Sequence, residues 1–488
     1  MKRLSLAALM FSAVLLSACG GGGGGGDGGS APPIAQPPTT PITPPTASCS
    51  LRDRQDWAAG QLREWYLFPE TLPASLDPTP FPTVDAYIDA LTATARSQRR
   101  DRFFTFLTSI KEDNAFFSSG ATAGFGVRLI TDVPGRRSFV AESFEGAPAL
   151  AAGIDRGTEI LAIGATPGNL RSVSDIIATE GNNGVTNALG PNTAGTTRTL
   201  RVADLNGATR EVTLAKTDFP IPPVSSRYGA QIINDGGKQV GYLNLRTFIS
   251  TADPALRDAF ARFRAQGVTE VIIDFRYNGG GLVSTAELLT DLLGRDRTTA
   301  DVLSFTVFRP EKASENETRF FQPQAQSIAP MRVAFIGTGS TASASELVIN
   351  AMIPYLGARA ALVGTNTFGK PVGQIALDRA QCDDRLRLVA FETQNSARQG
   401  GYFDGLAGKV QASCRATDDL ARPLGDPQEA STRQALDFLA GRTCTPISPA
   451  SANARTQAAP GTQAATAPRG LLTPERPTPA QREVPGLF

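Results

Sequence analysis

The run from Val268 to Phe275 constrains the fold more than any other feature of this chain. It is a near-continuous apolar strand, as burial on both faces requires. A glycine turn and a helical pattern, Leu282–Leu293, follow it. The same order returns at Met331–Ile336 and Ala344–Ile353, and Val240–Leu245 precedes a helical pattern at Asp253–Arg264. Buried strands alternating with helices predict an α/β layer around a parallel sheet. Ala360–Val363 and Val372–Leu377 are expected to complete that sheet.

The flanks differ in texture. Residues 20–29 are almost all Gly, and 31–46 are rich in Pro and Thr. Neither can bury a core, so 19–48 reads as a tether, flexible and then extended. The same composition at 449–488 predicts a disordered tail. Between them, Val84, Tyr87, Ile88 and Leu91 fall on one helical face, and Trp57, Leu62, Trp65 and Tyr66 suit another helix. Residues 49–118 therefore read as a small helical region. From about 119 to 220, short strands with glycine punctuation predict a β-rich domain.

The N-terminus carries a basic Lys2-Arg3, an apolar Leu6–Leu16 and a small Ala18 before Cys19. That is a secretory signal over 1–18, too short to span a membrane. Leu16-Ser17-Ala18-Cys19 resembles a bacterial lipobox, which implies cleavage before Cys19 and lipidation of its thiol. Gly20 in place of Asp then points to the outer membrane, facing the periplasm. Cys49, Cys382, Cys414 and Cys444 remain, an even number that suggests two disulfides in an oxidising compartment. Three connectivities are open. Cys382–Cys414 and Cys49–Cys444 are expected, the second tying together the ends of the folded region.

The chain of 488 residues has no histidine. That excludes a Ser–His–Asp triad, a Cys–His site and an HExxH zinc site, and leaves Lys, Asp, Glu, Tyr or a terminal amine as the base. The formal net charge of +1 becomes −1 once Lys2 and Arg3 leave with the signal. Nothing in it points to nucleic acid.

Three segments concentrate chemistry. Gly339-Ser340-Thr341-Ala342-Ser343-Ala344-Ser345-Glu346 lies between a buried strand and a helix, so Ser343 sits at a helix N-terminus, where unpaired N–H groups favour negative charge. Ser343-x-x-Glu346 is equally a capping box, which alone would be only structural. Gly364-Thr365-Asn366-Thr367-Phe368-Gly369-Lys370-Pro371 nearly matches a phosphate loop. Pro371 replaces its hydroxyl, and a strand rather than a helix follows, so nucleotide binding is disfavoured. Lys370 is left as a base, its amine lowered by burial. Gln374, four residues on, shares a strand face with it and can orient the amine; a routine polar strand residue is the alternative. Asp274-Phe275-Arg276-Tyr277-Asn278-Gly279-Gly280-Gly281 can bring backbone N–H groups close to an oxyanion.

In this order, "DFRYNGGG", "GSTASASE" and "GTNTFGKPVGQ" resemble the catalytic domain of the C-terminal-processing (tail-specific) serine peptidases over roughly residues 50–440. The resemblance implies Ser343 as nucleophile, Lys370 as general base, Gln374 as its support, and an oxyanion site from Gly279 or Gly280 with Ala344. It implies a crotonase/ClpP-like α/β domain over 221–448, with no metal and no cofactor. Ser343 and Lys370 stand 27 residues apart, slightly more than the family pattern, with Ile353–Leu356 as a small insertion.

Gly124-Phe125-Gly126-Val127 and the Ala-rich segment after Glu145 resemble a PDZ domain, in which such a loop aims N–H groups at a peptide C-terminal carboxylate. The Gly/Asn-rich 180–196 departs from that pattern. The expectation is an exported, lipid-anchored serine endopeptidase acting on proteins or peptides with apolar C-termini. A non-catalytic PDZ scaffold on a degenerate peptidase fold is the alternative. The chain's own end, Val484-Pro485-Gly486-Leu487-Phe488, is the kind of ligand such a groove takes, although an inert tail is the plainer reading.

Overall fold

The computed structural model describes residues 49–448 and 470–488. The signal, Cys19, the tether over 19–48 and residues 449–469 lie outside the described residues.

The parallel sheet forms around the apolar runs. Its order is Ala230–Asp235, Lys238–Asn244, Glu270–Asp274, Arg332–Gly337, Ala360–Gly364, Ala412–Arg415. The first pair is an antiparallel hairpin, and every later pair is parallel. Alternate residues of the central strand serve two cores. Val271 and Ile273 pack with helices Ala252–Ala265, Val283–Leu292 and Ala344–Leu356. Ile272 packs with Ala435 and Leu436 of helix Ala430–Leu439 on the other face. Double coverage is why consecutive residues Val271, Ile272 and Ile273 are all apolar.

Val372–Arg379 does not join this sheet, contrary to expectation. It pairs antiparallel with Asp384–Gln394, in a second sheet that also holds Phe106–Ser109, Val302–Phe308 and Glu317–Phe320. It is mostly half-buried or exposed instead of buried throughout, unlike the central strands of the parallel sheet. The N-terminal helices Leu51–Trp65 and Val84–Leu91 lie against this sheet, with Leu62, Tyr87 and Ile88 packed with Leu386, Leu388 and Ala390. Residues 49–118 thus share a core and a strand with the sheet beside them.

The β-rich segment forms its own sheet, ordered Gly470–Leu471, Val127–Asp132, Arg137–Ser143, Glu159–Gly164, Thr197–Ala203, Thr209–Ala215. Val173–Leu189, which includes much of the unplaced Gly/Asn-rich stretch, is a helix kinked at Gly181, whose φ is +64°. The outermost strand comes from the C-terminal segment. Over 470–488 the expected disordered tail is instead ordered: Leu472, Val484, Leu487 and Phe488 are buried. Their apolar side chains fill an open strand edge, a stronger effect than the polar composition of the residues before them.

All four cysteines are paired, with the connectivity exchanged from that expected. The bonds are Cys49–Cys382 and Cys414–Cys444. The N-terminal helix lies against the antiparallel sheet beside Cys382, with Arg54 bound to Asp384, and that places Cys49 there. The Arg415 N–H donates to the Thr445 carbonyl, which sets Cys444 beside Cys414.

Candidate active site

Ser343 occupies the turn between strand Arg332–Gly337 and helix Ala344–Leu356. Its φ of +55° and ψ of −115° are unusual for a residue with a Cβ. Such a conformation costs about 1–3 kcal/mol and persists only where neighbours impose it. They do so here. The Ala342 N–H donates to the Asn278 carbonyl at 3.0 Å, and the Thr341 hydroxyl to the Phe275 carbonyl at 2.8 Å. The Ser343 turn is thereby stitched to the glycine-rich turn.

Gly280 makes the closest approach. A Cβ there would lie 2.8 Å from the Ser343 Cβ, and its φ is +122°. Only glycine satisfies both conditions. The Gly280 N–H is taken by the Asn278 side chain at 2.9 Å. Gly280 is therefore a spacer, and Gly279 carries the N–H aimed into the cleft. It donates to the Glu483 carbonyl at 3.0 Å. The Ala344 nitrogen lies 3.2 Å from the position of a Gly280 Cβ, beside the Ser343 Cβ at 2.8 Å.

Lys370 stands two residues ahead of the strand Val372–Arg379. Its Nζ donates to Gln374 Oε1 at 3.0 Å, and the Gln374 amide donates onward to the Phe104 carbonyl. Burial pushes the Lys370 amine below its ordinary 10.5, while the carboxylates of Glu483 and Asp101 push it back up. Gln374 is thus a link between the lysine and the N-terminal region.

Two residues do more here than the sequence suggested. Glu346 is fully buried. One oxygen accepts the N–H of Ser343 at 3.0 Å and of Lys370 at 2.8 Å, and the other accepts the N–H of Gly369 at 2.7 Å. Burial raises its carboxyl, and the Thr367 side chain with these N–H groups pulls it down. The sequence signal was present: helix Ala344–Leu356 is buried on nearly all sides, so a carboxylate in its first turn must find donors inside the protein. Arg102 donates to the carbonyls of Phe368 and Gly369 and lies 4.1 Å over the Phe368 ring. Burial lowers its guanidinium to about 10. No local pattern marks an arginine hundreds of positions away as a clamp on the lysine loop.

Ser343, Gly281, Gln374, Arg387 and Glu483 line one cleft. A second site lies at the loop of the β-rich segment. The N–H groups of Gly126 and Val127 donate to a terminal oxygen of Phe488 at 2.9 and 3.1 Å. Phe125 packs beside the Phe488 ring in one core, and a Cβ on Gly124 would lie 2.8 Å from the terminal carbon. Arg128 joins the two sites, donating to the carbonyls of Pro485 and Tyr277.

Residues 239–400 match the model for Peptidase family S41. The chain is 30% identical over 276 residues to carboxyl-terminal-processing peptidase 3 of Arabidopsis thaliana chloroplasts, which covers 55% of this chain and 49% of that protein. It is 29% identical over 277 residues to the chloroplast C-terminal processing peptidase of Tetradesmus obliquus, covering 54% of each. The chain thus spans about half the length of these curated relatives. In fold it is similar to a crystal structure from Bacteroides fragilis assigned as an S41 protease, with a TM-score of 0.60 at 23% identity over 79% of this chain and 97% of that one. The glycine turn, Ser343, Lys370 and Gln374 all lie inside the segment that matches the Peptidase family S41 model.

Proposed function

We propose that this chain is a serine endopeptidase of the carboxyl-terminal-processing type. Glu346 carries the reading: one buried carboxylate holds the backbone of both Ser343 and Lys370, a use that a simple helix cap does not need. Ser343 Oγ attacks a peptide carbonyl and its proton passes to the neutral amine of Lys370. The N–H groups of Gly279 and Ala344 receive the oxyanion. The C–N bond then breaks, the leaving amine takes a proton, and water releases the acyl group from Ser343. Gln374 aims the amine.

The β-rich segment 119–220 is read as a PDZ domain that selects substrates by an apolar C-terminus, on the support of the Gly126 and Val127 donors. The segment 221–448 is read as a crotonase/ClpP-like α/β domain. Lipidation at Cys19 and a periplasmic, outer-membrane location rest on the lipobox-like Leu16–Cys19 and Gly20. Two disulfides suit that compartment.

The test is labelling by a fluorophosphonate probe together with hydrolysis of a quenched peptide ending in Leu-Phe. Ser343→Ala abolishes both, and full retained hydrolysis refutes the assignment. Cys19→Ala should move the protein from the membrane to the soluble fraction.

A further inference from the structure

Residues 478–488 touch both the Gly126–Val127 loop and the Ser343 cleft. Phe488 presents its carboxylate to Gly126 and Val127, and its own N–H donates to the Val127 carbonyl at 2.9 Å. The Leu129 N–H donates to the Gly486 carbonyl at 2.8 Å, so residues 486–488 add to the sheet as an antiparallel edge. Leu487 and Phe488 are almost wholly buried. Upstream, the helical turn Pro479–Glu483 forms one wall of the Ser343 cleft, and the Glu483 carbonyl takes the Gly279 N–H.

We propose that residues 478–488 are a built-in competitor. They fill the C-terminus groove and cover Ser343 until a peptide with an apolar terminal residue and a free carboxylate displaces them. This rests on the peptidase reading above for what is inhibited, and on the groove alone for what is bound.

The segment is a plug and not a substrate. An endopeptidase cleaves extended chain, yet here the Val484 N–H donates to the Ala480 carbonyl at 2.8 Å and the Arg482 N–H to Thr478 at 3.1 Å. The backbone beside Ser343 is wound into a turn. The Glu483 carboxylate also favours the charged form of Lys370, the wrong form for a base. Tethering makes the plug effective, since an intramolecular ligand acts at roughly millimolar effective concentration.

The test uses the full chain in three forms: native, Phe488→Asp, and lengthened by two aspartates after Phe488. Fluorescein-labelled Val-Pro-Gly-Leu-Phe with a free carboxylate is titrated by anisotropy. Removal of a resident competitor predicts about tenfold tighter binding to both altered forms, and about tenfold weaker binding of the peptide amide. Equal affinity in all three overturns the proposal. The second measurement needs no variant and so does not depend on the altered chains folding. Unlabelled pentapeptide added to the native protein should speed fluorophosphonate labelling of Ser343 severalfold, because it takes the groove but lacks the 478–483 turn. An unchanged labelling rate overturns the inhibitory role. If Ser343 is never labelled in any form, the peptidase reading falls, and anisotropy still decides whether the tail occupies the groove.

Discussion

Glu346 accepts the backbone N–H of Lys370 at 2.8 Å across 24 positions of sequence. The oxygen that does so also holds the N–H of Ser343. A residue expected to cap a helix therefore also braces the backbones of Ser343 and Lys370 relative to each other.

Glu346→Ala removes the acceptor of three buried N–H groups. Each buried donor left unsatisfied costs about 1–3 kcal/mol, so the melting temperature should fall. Because the two loops lose their common anchor, kcat should drop on the order of 10²-fold, with KM changed far less. Steady-state kinetics beside a thermal melt check both, and an unaltered kcat would remove Glu346 from the site.

At Gly280 the expected defect is steric. Gly280→Ala forces a Cβ to within 2.8 Å of the Ser343 Cβ at a φ of +122°. Strain of about 1–3 kcal/mol follows, and the two turns must separate. Fluorophosphonate labelling should disappear while the protein remains folded by circular dichroism.

The pH dependence follows from Lys370. In the proposed mechanism its amine must be neutral to accept a proton, and burial lowers it from 10.5. Activity should therefore rise with pH and be lost as pH falls through the lowered value. The Glu483 carboxylate pushes the amine up. In Glu483→Gln, which keeps the turn and its burial, the acid limb of kcat/KM should move to lower pH than in the native chain. A limb at the same pH in both would place Glu483 outside the electrostatics of the site. Lys370→Arg should be inactive at every pH, since a guanidinium does not deprotonate in this range.

The disulfides differ in loop length. Cys49–Cys382 spans 333 residues and Cys414–Cys444 spans 30. In the chain-entropy account these are worth about 6 and about 4 kcal/mol. Cys49→Ser should lower the melting temperature more than Cys444→Ser, as differential scanning calorimetry can show. The reverse order would locate the stabilisation in local packing.

Much of the α/β layer was legible in the chain. Val268–Phe275 announced a doubly covered strand because each face of that strand meets its own helices, and the consecutive apolar Val271, Ile272 and Ile273 record this. Val84, Tyr87, Ile88 and Leu91 announced a helix for the same reason, and all four are buried. Val372–Arg379 was assigned to the wrong sheet because a short apolar strand does not encode its partner. Pairing is chosen by hairpin closure with Asp384–Gln394, which only the folded chain displays. The disulfide exchange has the same origin, since four cysteines carry no record of which two come near.

The site divides along the same line. Ser343, Lys370, Gln374 and the glycine turn are marked by residue type and order, and the absence of histidine alone excludes every imidazole mechanism. Those are local properties, and the sequence determines them. Glu346 as a shared brace, Arg102 as a clamp, Gly279 rather than Gly280 as the donor in the cleft, and the C-terminal segment across it were decided only by tertiary structure. Each depends on which groups meet after distant segments pack, and hydrogen bonds are made to whatever donor or acceptor burial brings within 3 Å.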